Sequence, residues 1–232
     1  MKAAIMQPYF FPYIGYFQLL NAVDTFVVYD DVNFIKKGWV NRNNILLNNK
    51  QYLFTIALKS ASQNKLINQI ELDDNSNWKT ALLKTIHLAY GKATFFEQVF
   101  PLIQDIIEQQ ETNLSKLIVY SLQQISSYLS IPTTIIISSD IEKDNSLKGQ
   151  DKIIEICKKL GATNYINAVG GMTLYEENVF LGNNIVLQFI KSDSIVYPQF
   201  KNAFIPHLSI IDVMMFNAPE QIKCFLEQYE LI

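Results

Sequence analysis

The stretch DDVNFIKKGWVNRN places two adjacent carboxylates, Asp30 and Asp31, just ahead of Lys36, Lys37, Trp39, Arg42 and Asn43. Paired acids suit the binding of a metal or an ammonium group, and equally suit a turn or an element cap. Arg42 is the sole arginine among 19 cationic residues, in a chain that otherwise uses lysine. Such a survivor is a candidate for a role lysine cannot fill, a planar two-pronged clamp on carboxylate or phosphate. Three further stretches combine polar groups with glycine, proline or aromatic residues. QPYFFPYIGY carries Gln7, Tyr13, Gly15 and Tyr16; NAVGG carries Asn167, Gly170 and Gly171 with Tyr175 beyond; and YPQF carries Tyr197 and Gln199 ahead of His207. Gly170-Gly171 before a helix offers backbone N–H groups to an anion, or simply a turn. His207, with Asp212 to orient it, has the makings of a general base, or is a histidine of no consequence at a helix start. Ser209 and Asp212 are spaced as a capping box, and His87 reads as structural.

Asp30, Asp31, Arg42 and His207 are therefore the catalytic candidates. Gln7, Tyr13, Gly15, Tyr16, Lys36, Trp39, Asn43, Asn167, Gly170, Gly171, Tyr175, Tyr197 and Gln199 are the candidate substrate contacts. No P-loop, GxGxxG, HExxH, GxSxG or zinc-spaced cysteine set occurs, and no metal ligands are assigned.

These residues need elements to hold them. Lys2 to Met6, Tyr16 to Ala22 and Asp24 to Tyr29 read as strand, helix and strand, a βαβ unit whose strands are parallel. QPYFFPYIGY and Asp30-Asp31 then stand at carboxyl ends of strands, where α/β sheets take ligands. Arg42 to Leu47 and Gln51 to Leu58 read as a hairpin turning on Asn48-Asn49. From Trp78 to about Ile131 the apolar period is helical, an inserted helical block, with Asn113 a plausible N-cap. Thr133 to Ser138, Tyr165 to Asn167 and Ile185 to Ile190 read as strands. Gly149 to Leu160, Thr173 to Leu181, Ser209 to Phe216 and Pro219 to Tyr229 read as helices. The fold class expected is α/β, a Rossmann-like, mostly parallel sheet with a β-hairpin and the helical insertion, within one domain spanning 1–232.

Composition narrows the class. The chain is 49% apolar and 18% charged, with a formal net charge of −3. That excludes a disordered chain, and scattered lysines argue against a basic face for DNA. No apolar run is long enough to span a membrane and no signal pattern opens the chain, so a cytoplasmic location is expected. Cys157 and Cys224 lie in helical segments and read as buried apolar fillers.

The run AIMQPYFFPYIGYFQLLNAVDTFVVYDDVNFIKKGWVNRNNI, continued by LGATNYINAVGG and by YPQF and PHLSIIDVMMFNAP, resembles the WbqC-like protein family over nearly the whole chain. That resemblance implies a place among bacterial O-antigen and other surface-polysaccharide functions, with transfer of an acyl group, glycyl in one proposal, to a sugar or sugar nucleotide. The partner expected is such a small molecule; the cofactor is left open between a nucleotide and an activated acyl donor, with the donor activated elsewhere or by ATP. The alternative is a non-catalytic sugar-nucleotide-binding protein of the same pathway. Separately, Tyr13-Ile14-Gly15-Tyr16 occupies the place of the HxGH motif of nucleotidylyl transferases and class I aminoacyl-tRNA synthetases, with tyrosine at both histidine positions. The glycine would admit a nucleotide against the helix.

Overall fold

The computed structural model of the chain describes residues 1–201 and 203–232. The chain begins with β1 (Lys2–Met6), α1 (Ile14–Asn21) and β2 (Thr25–Val28), followed by a hairpin of β3 (Arg42–Leu47) and β4 (Lys50–Thr55). A small pair, β5 (Leu58–Lys59) and β6 (Glu71–Leu72), leads into three helices, α2 (Trp78–Tyr90), α3 (Phe96–Glu108) and α4 (Leu114–Tyr128). The α/β pattern then resumes with β7 (Thr134–Ile137), α5 (Gly149–Leu160), β8 (Asn164–Ala168), α6 (Glu177–Gly182) and β9 (Val186–Ser192). Helices α7 (Ile210–Phe216) and α8 (Pro219–Leu226) and strand β10 (Tyr229–Leu231) close the chain.

The central sheet has the order β10-β9-β8-β1-β2-β7 and is parallel except for β10 at one edge. Its strands are short and apolar because both faces are covered. Side chains alternate between two cores: Ala4, Phe26, Val28 and Ile166 face α1 and the three inserted helices, while Ala3, Ile5, Val27 and Tyr165 face α5 and α6. The chain leaves β1 towards β2 by way of α1 on one face, and later enters β8, on the other side of β1, after α5 on the opposite face. The reversal lies at the carboxyl end of β1, where an open α/β sheet leaves a crevice.

The expected mostly parallel α/β sheet, the βαβ opening and the hairpin turning on Asn48 and Asn49, at φ 50° and 60°, are all present. Three readings need correction. Thr173 to Leu181 is not one helix, because Val169–Leu174 winds as a 3-10 segment and the chain extends at Tyr175 before α6 begins. The last helix stops at Leu226, and Tyr229–Leu231 adds to the sheet edge as an antiparallel strand. Cys157 is buried, its thiol pushed up to about 12 by desolvation, but Cys224 is exposed on α8 rather than packed.

Candidate functional site

The opening loop is anchored by its two phenylalanines, both fully buried. Phe11 is forced to φ 47°, a left-handed conformation costly for an aromatic residue and sustained only by its surroundings. Those surroundings are hydrogen bonds: Asn43 Nδ2 and Ser209 Oγ both donate to the Phe11 carbonyl, at 2.7 and 2.8 Å, and the Phe10 N–H donates to the Val40 carbonyl. Tyr16 belongs to the core as well, with only its hydroxyl engaged at the loop, donating to the Gln7 carbonyl at 3.0 Å. What the loop presents outward is Gln7, Tyr9 and Tyr13.

These three line a cleft of about 730 Å³ at the carboxyl ends of β1, β2 and β8. The β1 end supplies Met6 and Gln7, the β2 end Tyr29, the β8 end Asn167 and Ala168, and the α5 start Gly149 and Gln150. Gly170, Gly171, Leu174 and Tyr175 close it from the 3-10 segment, and Ile35 and Trp39 from the loop after β2. Gly171 lets the Asn167 amide lie close, since a Cβ there would come within 2.8 Å of Asn167 Nδ2 and push that side chain aside. No side chain lining the cleft is formally charged. Its polar groups are four tyrosines, one tryptophan and three amides.

Asp30, Asp31 and Arg42 lie elsewhere, each with partners inside the protein. Asp30 is 2% exposed; it accepts from Ser139 N and Oγ at 3.0 and 2.9 Å and from Ser115 Oγ at 3.3 Å. Burial raises its pKa against the lowering effect of those donors. Asp31 receives two buried ammonium groups, Lys143 and Lys152, each with Nζ 2.9 Å from Oδ2. Burial alone would raise the Asp31 pKa, but Ser138 and the two lysines outweigh it and hold the carboxyl below its usual range. The pair therefore fastens β2 to α4, to the segment after β7 and to α5, without facing the cleft. Arg42 donates through Nε to the Gly38 carbonyl at 2.9 Å and through its terminal nitrogen to the Lys37 carbonyl, with its guanidinium 5.6 Å from the Trp39 ring centre. The only arginine thus holds the tight turn that sets Trp39 at the cleft. Lys36 and Arg42 border a separate shallow depression beside β4 and β5.

Two smaller compartments adjoin the cleft. One of about 200 Å³ shares Tyr9, Tyr13 and Trp39 with it and adds Pro12, Asn43 and His207. The second, about 410 Å³, lies beyond Tyr13 and His207 and is lined also by Gly15, Ser192, Asp193, Ser194 and Tyr197. Tyr13 borders all three. Its ring rests on Gly15, where an added Cβ would fall 2.3 Å from Tyr13 Cε2, so the glycine of YIGY gives that ring its seat. His207 stands at φ 59° between the compartments. Asp212 does not orient it. Fully buried, Asp212 accepts from Tyr90, Tyr197 and Gln199 at 2.8, 2.7 and 2.6 Å, and it does not complete the capping box, although Ser209 Oγ does accept from Ile211 N. Burial raises the Asp212 pKa, and its three donors oppose the rise. Gln199 also exchanges hydrogen bonds with Ile205, so Tyr197 and Gln199 pin the loop after β9 and are not presented to a ligand in the cleft. His87 packs edge-on against Phe96 and Phe100, as structural residues do.

A model of the WbqC-like protein family matches residues 7–224. The chain belongs to the WbqC-like protein family. It is also 29% identical over 227 residues to the uncharacterized protein Rv1507c of Mycobacterium tuberculosis, covering 97% of each chain. No solved structure matches it. Among the described residues, no helix is long and apolar enough to cross a membrane and no group of three His, Cys, Asp or Glu residues is placed to hold a metal.

Of the candidates in this WbqC-like chain, the cleft gathers Gln7, Tyr13, Trp39, Asn167, Gly170, Gly171 and Tyr175, while Asn43 and His207 join it through the small compartment and Gly15 borders the second. Tyr9, Tyr29 and Gln150 were missed at the cleft, and Ser192, Asp193 and Ser194 in the second compartment. Tyr29 had a signal, since it directly ends β2. Gln150 had a weaker one, in the Gly149-Gln150 opening of an amphipathic helix. Asp193 had none, because only the tertiary approach of the β9 end to Tyr13 gives it a setting.

Proposed function

We propose that this WbqC-like chain binds the sugar and nucleoside portion of a sugar nucleotide in the cleft, as part of bacterial surface-polysaccharide assembly. The observation that supports this reading is the uncharged lining of tyrosines, tryptophan and amides around about 730 Å³ at the strand carboxyl ends. Aromatic faces stack on sugar rings and bases, and amides match hydroxyl and base edges without requiring a charged ligand. The α5 N-terminus, where the Lys148 side chain makes no capping hydrogen bond, opens beside Gly149 and favours a phosphate at the cleft edge.

A second reading, transfer of a small acyl group such as glycyl to the bound sugar, is favoured by the position of His207. It lines both compartments next to the cleft. In that reaction the acceptor amine or hydroxyl attacks the acyl carbonyl carbon, His207 takes the acceptor's proton, and the donor's leaving group departs with its electron pair.

Thermal unfolding with UDP-, dTDP- and GDP-linked sugars tests the binding reading. A ligand present at a hundredfold excess over its Kd adds about 2.7 kcal/mol to the folded state. At least one sugar nucleotide is expected to raise Tm in a concentration-dependent way, while glucuronate, an anion without the base, is not. No rise with any of them contradicts the reading. Mass change of the sugar in the presence of an activated acyl donor, lost in His207→Ala, separates transfer from binding.

A further inference from the structure

Resting on the reading of the main cleft as a sugar-nucleotide site, we infer that the compartment beyond Tyr13 is a separate subsite for a small hydroxylated molecule carrying a primary ammonium group.

Several features converge on it. The compartment measures about 410 Å³, roomy enough for one sugar-sized molecule and too small for a nucleotide beside one. Its lining differs in charge from the cleft's. Asp193 is the one carboxylate bordering the cleft and its two compartments, and no hydrogen bond or ion pair to its side chain is found among the described residues. Its backbone N–H donates to the Gln228 carbonyl at 3.0 Å, which holds the residue in place at the end of β9. Ser192 and Ser194 border the same compartment, and Tyr13, Phe204 and Ile195 supply an apolar wall. A carboxylate without an internal partner, in a compartment lined also by two serines and an aromatic ring, suits a cation on a polyol frame. The buried carboxylates contrast with Asp193: Asp30, Asp31 and Asp212 all carry internal partners.

The compartment is a neighbour of the cleft, not a part of it. Tyr13, seated on Gly15, separates it from the small compartment that opens on the cleft, and His207 borders both sides. A molecule held by Asp193 thereby lies on the far side of Tyr13 from one held in the cleft.

The probe is glucamine, a primary amine on a six-carbon polyol, compared with sorbitol, which has the same skeleton and no amine. Binding is followed by backbone amide shifts in the full chain. Glucamine is expected to shift the amides of residues 192–195 and 207 saturably, with sorbitol about tenfold weaker, the difference one partly solvated charge-assisted hydrogen bond makes. Asp193→Asn, a substitution at an exposed side chain, is expected to erase that preference while leaving sugar-nucleotide shifts at Tyr29 and Tyr175 unchanged. Equal affinity for the two polyols, a preference that survives Asp193→Asn, or shifts confined to other residues would overturn the inference. Loss of the sugar-nucleotide shifts in the unmodified protein would instead count against the cleft reading, so the two failures are distinguishable.

Discussion

The junction after β2 and the cleft after β1 lie at the same end of the sheet and follow opposite rules. The junction gathers Asp30, Asp31, Lys143 and Lys152 out of water and pairs them with one another or with serines. The cleft, beside it, is lined without a single formal charge. The difference teaches that charge density in a sequence marks where chain segments are fastened as readily as where ligands bind. Buried ions demand partners, and partners from distant segments make good fasteners. Arg42 belongs with the junction in this sense, since two of its nitrogens donate to the turn beneath Trp39.

The largest break in that contrast comes from Asp31→Asn. Leaving two buried ammonium groups without their carboxylate costs about 3–5 kcal/mol, seen as a fall in the denaturant midpoint at neutral pH. The pH dependence carries the sign. The Asp31 pKa is lowered by folding, so its contribution is present above the ordinary carboxylate pKa and is lost as pH falls through the lowered value. Asp30, raised by burial, acts oppositely: its contribution is present at low pH and declines as pH rises through its folded pKa. Asp31→Asn is therefore expected to flatten the acid limb of the stability profile below about pH 4. Retained stability with lost ligand binding would move Asp31 from the junction to the site.

Arg42→Lys ranks next. A lysine cannot hold two carbonyls in one plane and face an indole as well, so sugar-nucleotide affinity is expected to fall about tenfold by calorimetry. Stability should change by no more than about 1–2 kcal/mol, the scale of the hydrogen bonds lost. A catalytic arginine would instead leave binding largely intact and abolish turnover. The smallest effect is assigned to Tyr13→Ala, which removes the partition between compartments. Affinity in the cleft should drop only a few-fold, with Tm nearly unchanged because the side chain is 38% exposed.

Much of the framework was legible in the chain. Alternating apolar segments gave the parallel strands, Asn48-Asn49 the hairpin turn, and the rule of strand carboxyl ends the position of the cleft. Gln7, Tyr13, Asn167 and Gly170 followed from that rule. Polar side chains at the same ends were harder to place, because burial is decided by partners far along the chain. Lys152, which fastens Asp31, lies 121 residues away and has no local mark. Tyr197, Gln199 and Asp212 were hard to read for the same reason, as they share a buried network with Tyr90 of the inserted helices, although Tyr197 also lines the second compartment.

The central claim is that the uncharged cleft is the ligand site, and Trp39 reports on it. The chain has two tryptophans, of which Trp78 is buried and Trp39 stands 46% exposed at the cleft. In a Trp78→Phe protein, titration with sugar nucleotides should change Trp39 fluorescence saturably. Adding Gly170→Phe, at a position with open space around its would-be Cβ, should plug the cleft and abolish the change while the protein stays folded. A fluorescence response that persists unaltered in the plugged protein, or no response to any sugar nucleotide in the open one, would contradict the account.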